Sequence, residues 1–227
     1  MSDERIVGVL GGTFDPVHLG HLEVARRVRE RTGLARVLLL PCAIPPHKQP
    51  PRLAPAAHRE AMLRLAIEGL DDLELCTLES ESGGVRYSID TMRRLREGPP
   101  RRIPVFIMGM DSLLELPAWK DHRDLIREFD LIAVNRPDAG RPRAVEDPEV
   151  ARAIVELAEG EDGPPTGLEA GMGRGGRIFV FRIPPVAVSS SRVRARVASG
   201  GSLAGLVPPA VARYIHANGL YLQEERS

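Results

Sequence analysis

Ile6-Val-Gly-Val-Leu10 runs without a break into Gly11-Gly-Thr-Phe-Asp-Pro-Val-His-Leu-Gly-His21. A short, continuous apolar run ending in glycines is the mark of a strand buried on both faces. Beyond it the period changes. Leu22, Ala25 and Val28 recur at three-residue spacing and Gly33 supplies a stop, so a helix is predicted over Gly20 to Thr32. The chain then repeats the theme. Val37 to Leu40, Ile103 to Met108 and Asp130 to Val134 are further apolar runs, Leu73 to Cys76 is a weaker alternating strand, and Arg177 to Arg182 is a late one. Helical patterns lie between them over Ala56 to Glu68, Ser88 to Glu97, Asp121 to Glu128 and Glu149 to Glu159. Two more, from about Ser191 to Ala198 and from Pro209 to Ala217, form a small C-terminal helical part. Strands alternating with helices require crossover connections. The expected fold is therefore α/β, a doubly wound, mostly parallel sheet covered on both faces, in a single domain over residues 1–227.

Residues 137–176 depart from the pattern and read as an insertion. Within it, Gly160 to Gly176 holds seven glycines and two prolines in 17 residues, too little apolar chain to bury, and a mobile loop is expected there. Gly171-Met-Gly-Arg-Gly-Gly176 satisfies the dinucleotide pattern G-x-G-x-x-G. That pattern works only between a strand and a helix, and here a loop precedes it and a strand follows it. It is read as linker. No G-x-x-x-x-G-K-[ST] phosphate loop is present either.

The chain has 227 residues, 43% of them hydrophobic, with 31 Lys and Arg against 31 Asp and Glu. A zero net charge argues against a nucleic-acid polymer or an acidic membrane as partner, since both demand a basic excess. No apolar run approaches the roughly 20 residues that span a bilayer, and Met1 to Arg5 leads into no signal-peptide core. Cys42 and Cys76 make neither a disulfide framework nor a zinc site, so a cytoplasmic, reduced protein is expected. Of the basic residues only Lys48 and Lys120 are lysines, which singles out each of them.

Chemistry concentrates after the first strand. The carboxyl end of a strand in an open sheet is where such folds place phosphates. Gly11 and Gly12 let backbone N–H groups approach an anion closely. His18 and His21 enter the first helical turn on one face, where the helix N-terminus adds N–H donors and partial positive charge. Together they form a cradle for charge developing on a phosphoryl group. Two other readings of the pair stand beside it. One is metal ligation, although zincin spacing is i, i+4 with an intervening Glu; the other is a structural helix cap.

This segment resembles the H-x-G-H signature of the nucleotidyltransferase superfamily, and the wider match is with bacterial nicotinate-mononucleotide adenylyltransferases. Further pieces occur in that family's order: Pro45-Pro-His-Lys48, Tyr87-Ser-Ile-Asp-Thr91, Gly109-Met-Asp-Ser112 with Trp119 downstream, Arg136-Pro137, and Val188-Ser-Ser-Ser-Arg-Val-Arg194. The resemblance spans residues 6 to 196 and implies a Rossmann-like nucleotidyltransferase fold. It implies adenylyl transfer from ATP, carried with Mg²⁺, to nicotinate mononucleotide, giving deamido-NAD and pyrophosphate. His18, His21, Lys48 and Arg194 would be the catalytic groups. Gly11, Gly12, Thr13, Phe14, Gly109, Asp111, Arg136, Ser189, Ser190 and Ser191 would bind ATP, and Asp15, Tyr87, Ser88 and Trp119 the mononucleotide. No metal ligands of the protein itself are implied, and a homo-oligomer is compatible with the family.

Read as residues, these pieces admit plainer roles too. Ser189 to Ser191 with Arg194 suits terminal phosphates, or a serine N-cap with a solvated arginine. Lys48 is a compact cation for phosphate, or a surface lysine. Asp111 suits a ribose hydroxyl or a magnesium-bound water, or is a helix N-cap. Trp119 stacks on a pyridine ring or belongs to the core. Ser88 replaces a more usual Thr, and Lys120 stands where an aromatic is common. The amide mononucleotide, or another phosphate such as phosphopantetheine, is therefore the nearest alternative acceptor. A nucleotide sensor without turnover, or a fragment of a class I tRNA synthetase, is a more distant reading.

Overall fold

The structure is a computed structural model that describes residues 5–42, 53–79, 87–135, 145–156, 172–183 and 187–222. The first strand, β1 (Ile6–Gly12), lies inside a seven-stranded sheet. The others are β2 (Arg36–Pro41), β3 (Leu73–Leu75), β4 (Ile103–Gly109), β5 (Leu131–Asn135), β6 (Ile154–Glu156) and β7 (Ile178–Arg182). Their spatial order is β3-β2-β1-β4-β5-β7-β6, and every pairing is parallel. Strand order reverses between β1 and β4. Their carboxyl ends, Gly12 and Gly109, therefore flank the crevice at which open α/β sheets take ligands.

Alternating side chains divide the core in two. On one face Leu10, Leu39, Ile107, Val134 and Phe181 pack against α1 (Leu19–Thr32), through Val24, Ala25 and Val28, and against α2 (Ala56–Ile67), through Met62 and Leu63. The same face receives α7 (Ser190–Ala198) and α8 (Pro209–Ala217) through Val193, Val197, Val211 and Ile215. On the other face Val7, Val9, Leu38, Leu40, Phe106 and Met108 meet Ile89, Met92 and Leu95 of α3 (Ser88–Glu97). Leu113 of α4 (Met110–Glu115) and Leu125 of α5 (His122–Glu128) complete that layer. This is the pattern expected of strands whose successive residues point to opposite faces. Gly8 is the tight point: a Cβ there would lie 2.7 Å from the Ile107 side chain.

Three elements differ from expectation. The helix predicted over Glu149 to Glu159 is only α6 (Pro148–Ala153), capped by Asp147, whose carboxylate accepts the Glu149 and Val150 N–H groups. Ile154 and Val155 then pair with β7 as β6, because β-branched residues beside an open ladder favour extension over another helical turn. Secondly, α4 follows β4 without a loop and passes into a 3₁₀ turn, Leu116–Ala118, with Leu113 and Leu116 fully buried. Thirdly, the glycine-rich stretch 160–176 ends in contact with the body, not as free linker. Met172 is buried, Gly173 N–H donates to Asp130 Oδ2 (2.7 Å) and Gly176 N–H donates to the Ile126 carbonyl (2.7 Å). At Gly175, φ is +79° and a Cβ would lie 2.4 Å from the Arg127 carbonyl, so only glycine fits. Residues 160–171 lie outside the described residues.

Helices α3 and α5 are tied by Glu128, which accepts hydrogen bonds from Arg93 and, at 2.8 Å, from Arg96. Chiefly the Arg93 bond holds the Glu128 carboxyl down to about 2 from an ordinary 4.5. A depressed carboxyl pKa stabilises the fold fully above the unfolded value and loses that effect as pH falls through the folded one. Glu128→Gln should therefore lower the thermal midpoint by a few degrees at pH 7, and the gap to wild type should close as pH falls from 4.5 to about 2. Thermal melts across that range check this, and a gap independent of pH would contradict it.

Candidate active site

The chain leaves β1 through a turn whose glycines are demanded by contact. A Cβ on Gly11 would lie 2.9 Å from the Phe106 ring, and one on Gly12 would lie 3.2 Å from the Phe14 ring. Phe14 itself has φ +48°, a left-handed conformation costing a non-glycine residue about 1–2 kcal/mol. Its surroundings hold it there: the ring is 1% exposed and meets His21 edge-on, with centroids 4.8 Å apart and planes at 63°.

His18 is the N-cap of α1, extended at φ −144° and ψ 168°, and is 2% exposed. The two histidines interlock. His18 N–H donates to His21 Nδ1 (3.2 Å), His21 N–H donates to the His18 carbonyl (2.9 Å), and the rings stack with centroids 3.7 Å apart. Because His21 Nδ1 accepts a backbone proton, the neutral ring carries its own proton on Nε2. His21 is thus a fixed donor at the start of a helix. Gly20 makes the stack possible, since a Cβ there would lie 3.0 Å from the His18 ring.

A second helix start is brought alongside. Ser189 caps α7 by accepting the Arg192 N–H (3.2 Å), and Ser190 Oγ donates to the Pro16 carbonyl (3.0 Å). Arg194 Nη1 donates to the Asp15 carbonyl (2.6 Å) and its Nη2 to Ser191 Oγ (3.3 Å). The N-termini of α1 and α7 therefore meet at the 15–16 turn, and two helix dipoles offer positive ends to one place. Ser189 and Ser191 are exposed there, whereas the Ser190 hydroxyl is already engaged.

Asp15, expected at the mononucleotide, is a support for the loop. It is 2% exposed, and its Oδ1 accepts the Ala54 N–H (3.2 Å) and the Tyr221 hydroxyl (2.7 Å). Burial, and then the Asp15 carboxylate, push the Tyr221 phenol well above its ordinary range, so it stays a donor. Two residues that sequence reasoning passed over belong to this support: Tyr221, and Arg59 of α2, whose guanidinium reaches the Thr13 carbonyl at 2.9 Å. Neither carries a local signal, because their partners are 206 and 46 residues away.

Across the crevice, Gly109 caps α4 and Asp111 sits exposed in that helix's first turn, not at its cap. Trp119 is half-buried and edge-on to Phe106 (5.9 Å), the same ring that abuts Gly11. Tyr87 caps α3 beside Ser88 and has the Lys120 ammonium 4.5 Å above its ring. Lys120 also pairs with Asp90 at 3.3 Å. The turn after β1, the start of α7 and the Trp119 face thus surround the β1–β4 crevice. Lys48 and Arg136 lie outside the described residues. Among the described residues no group of three or more His, Cys, Asp or Glu is placed to hold a metal ion.

A strand–glycine turn–helix with stacked histidines at a sheet's reversal point is the architecture of a nucleotidyltransferase, and the family model described as cytidylyltransferase-like matches residues 9–196. The chain belongs to that family. A Symbiobacterium thermophilum protein named "Probable nicotinate-nucleotide adenylyltransferase" is 41% identical over 219 residues, covering 96% of each chain. A Pelobacter propionicus protein of the same name is 40% identical over 215 residues, 95% of this chain and 97% of its own. Within the class, then, this chain is one of the nicotinate-nucleotide adenylyltransferases. Two solved structures of Plasmodium falciparum nicotinic acid mononucleotide adenylyltransferase, one complexed with APC and one with NaAD, match with TM-scores of 0.68 and 0.70 at 18% and 19% identity. Each match covers 96% of this chain and 97% of the other, and shows the shared fold.

Gly20→Ala tests the stack. Alanine is the better helix former, so the thermal midpoint should hold within a few degrees, while the His18 ring must shift by tenths of an ångström. We expect turnover to fall roughly tenfold or more in the folded variant. Unchanged turnover would show that the geometry of the pair is not critical.

Proposed function

We propose that the chain transfers the adenylyl group of ATP to nicotinate mononucleotide, releasing pyrophosphate and forming deamido-NAD, a step of NAD biosynthesis. The observation that carries the proposal is the stacked His18–His21 pair at the meeting point of two helix N-termini. A phosphate oxygen of the mononucleotide attacks the α-phosphorus of ATP, and the bond from that phosphorus to the bridging oxygen of the leaving pyrophosphate breaks. The attacking group is already an anion, so no base is required; the site has only to align reactants and absorb charge. His21 Nε2–H suits the α-phosphate as its oxygens gain charge. Arg194 and the Ser189 and Ser191 hydroxyls suit the outgoing phosphates, together with Lys48 by its place in the sequence. Mg²⁺ belongs to the substrate, carried on the phosphates of ATP, with Asp111 exposed near the end of β4. Trp119, Tyr87 and Ser88 offer an aromatic wall and a helix start to the pyridine ring and its carboxylate.

The bacterial relatives' shared name supports nicotinate as the acceptor. No helix among the described residues is long and apolar enough to cross a membrane. Cytoplasmic residence fits a chain whose two cysteines, Cys42 and Cys76, are both free thiols.

Pyrophosphate release from ATP, measured with nicotinate and nicotinamide mononucleotides in turn, tests the proposal. We expect the acid to be the faster acceptor. Faster turnover of the amide would overturn the substrate, and none with either would overturn the reaction. His21→Ala should cut turnover at least about a hundredfold while the protein stays folded, the cost of losing a donor to a transition-state oxygen. Retained turnover would leave His21 a structural cap.

A further inference from the structure

We infer that Arg59 is a positioning residue for this site: by taking the Thr13 carbonyl it aims the Phe14 N–H at the phosphate being transferred. The inference rests on the adenylyl-transfer reading. Arg59 lies in α2 among Met62, Leu63 and Ala66, is 1% exposed, and is the largest fully buried side chain among the described residues. A guanidinium is expensive to bury, so it is retained only where its donors are used. Its Nη1 donates to the Thr13 carbonyl (2.9 Å) and the Cys42 carbonyl (2.7 Å), and its Nε to the Ala54 carbonyl (3.0 Å). These acceptors come from three separate segments: the turn after β1, the residue after β2, and the lead into α2.

Other bonds lock the same junction. Cys42 N–H donates to the Gly12 carbonyl (2.9 Å), and Ala54 N–H donates to Asp15 Oδ1 (3.2 Å). Ala54 is thus held through its N–H by Asp15 and through its carbonyl by Arg59. The Thr13–Phe14 peptide is trans, the cis bonds among the described residues being Asp15–Pro16 and Pro99–Pro100. In a trans peptide the carbonyl and N–H point in opposite directions. Fixing the Thr13 carbonyl on Arg59 therefore turns the Phe14 N–H away from α2, and that N–H has no acceptor among the described residues. Phe14 keeps its left-handed φ of +48° against its own preference, and the Arg59 bond restrains the peptide just before it. The guanidinium also sets a fixed positive charge behind a loop that faces phosphate.

Pyrophosphate release by wild type, Arg59→Lys and Arg59→Met, each first shown folded by circular dichroism, tests this. Folded Arg59→Met should lose at least about tenfold in kcat with a smaller change in KM for ATP, since the N–H acts on the transferring group. Arg59→Lys, which restores charge and one donor direction, should recover part of that loss. Unchanged kcat in folded Arg59→Met, or an Arg59→Lys variant no better than Arg59→Met, would overturn the inference. Where Arg59→Met does not fold, the Phe14 amide resonance of the wild-type protein supplies the test. It should shift on saturation with a non-hydrolysable ATP analogue, and an unmoved resonance would overturn the inference. A wild-type chain that shifts Phe14 with the analogue yet releases no pyrophosphate would count against adenylyl transfer and leave the placement of Arg59 standing.

Discussion

The chain leaves the sheet at Gly12 and must enter α1 at Leu19, and everything at this end of the molecule depends on how Thr13 to His18 make that passage. The path is held from three sides. Arg59 takes the Thr13 carbonyl from beneath, Arg194 takes the Asp15 carbonyl, and Ser190 takes that of Pro16. Each of these bonds fixes one peptide of the turn, and the stacked imidazoles of His18 and His21 are set where that turn enters α1. A turn so constrained is pre-organised, and pre-organised donors need no rearrangement when charge develops on a phosphoryl oxygen.

The same constraint explains how an electrically balanced chain can hold a strongly anionic substrate. The balance of 31 basic and 31 acidic residues is a sum over the whole molecule. Much of it is spent in pairs far from the site, such as Arg26 with Glu23 and Glu30, Arg102 with Glu74, and Arg177 with Asp130. At the crevice the balance tips locally. The N-termini of α1 and α7, Arg59 and Arg194 meet there around one buried carboxylate, Asp15, which is turned inward to Ala54 and Tyr221 and lies 3.7 Å from Arg194.

Most of the sheet was legible because parallel strands buried on both faces must be apolar throughout, and glycines close β1 and β4, the two strands that flank the site. Ile6 to Leu10, Val37 to Leu40 and Ile103 to Met108 needed nothing more. Hidden features were those set by a distant partner. Ile154 and Val155 continue a helical pattern in sequence and become a strand only because the edge of β7 is open to them. Gly173, Gly175 and Gly176 look like linker until the end of α5 is placed beside them. In the site, His18, His21 and Arg194 were legible through spacing and motif. Arg59 and Tyr221 were not, since a helical arginine and a C-terminal tyrosine carry no mark of the carbonyls or carboxylate they serve. Asp15 sat in the motif, but its inward orientation follows from Ala54, Tyr221 and Arg194 together.

The most direct test of this arrangement is a crystal structure with a non-hydrolysable ATP analogue. We expect the α-phosphate within hydrogen-bond distance of His21 Nε2 and the Phe14 N–H, with the outer phosphates against the start of α7. An analogue whose phosphates lie elsewhere, or a His21 ring turned so that Nε2 bonds to protein, would contradict it.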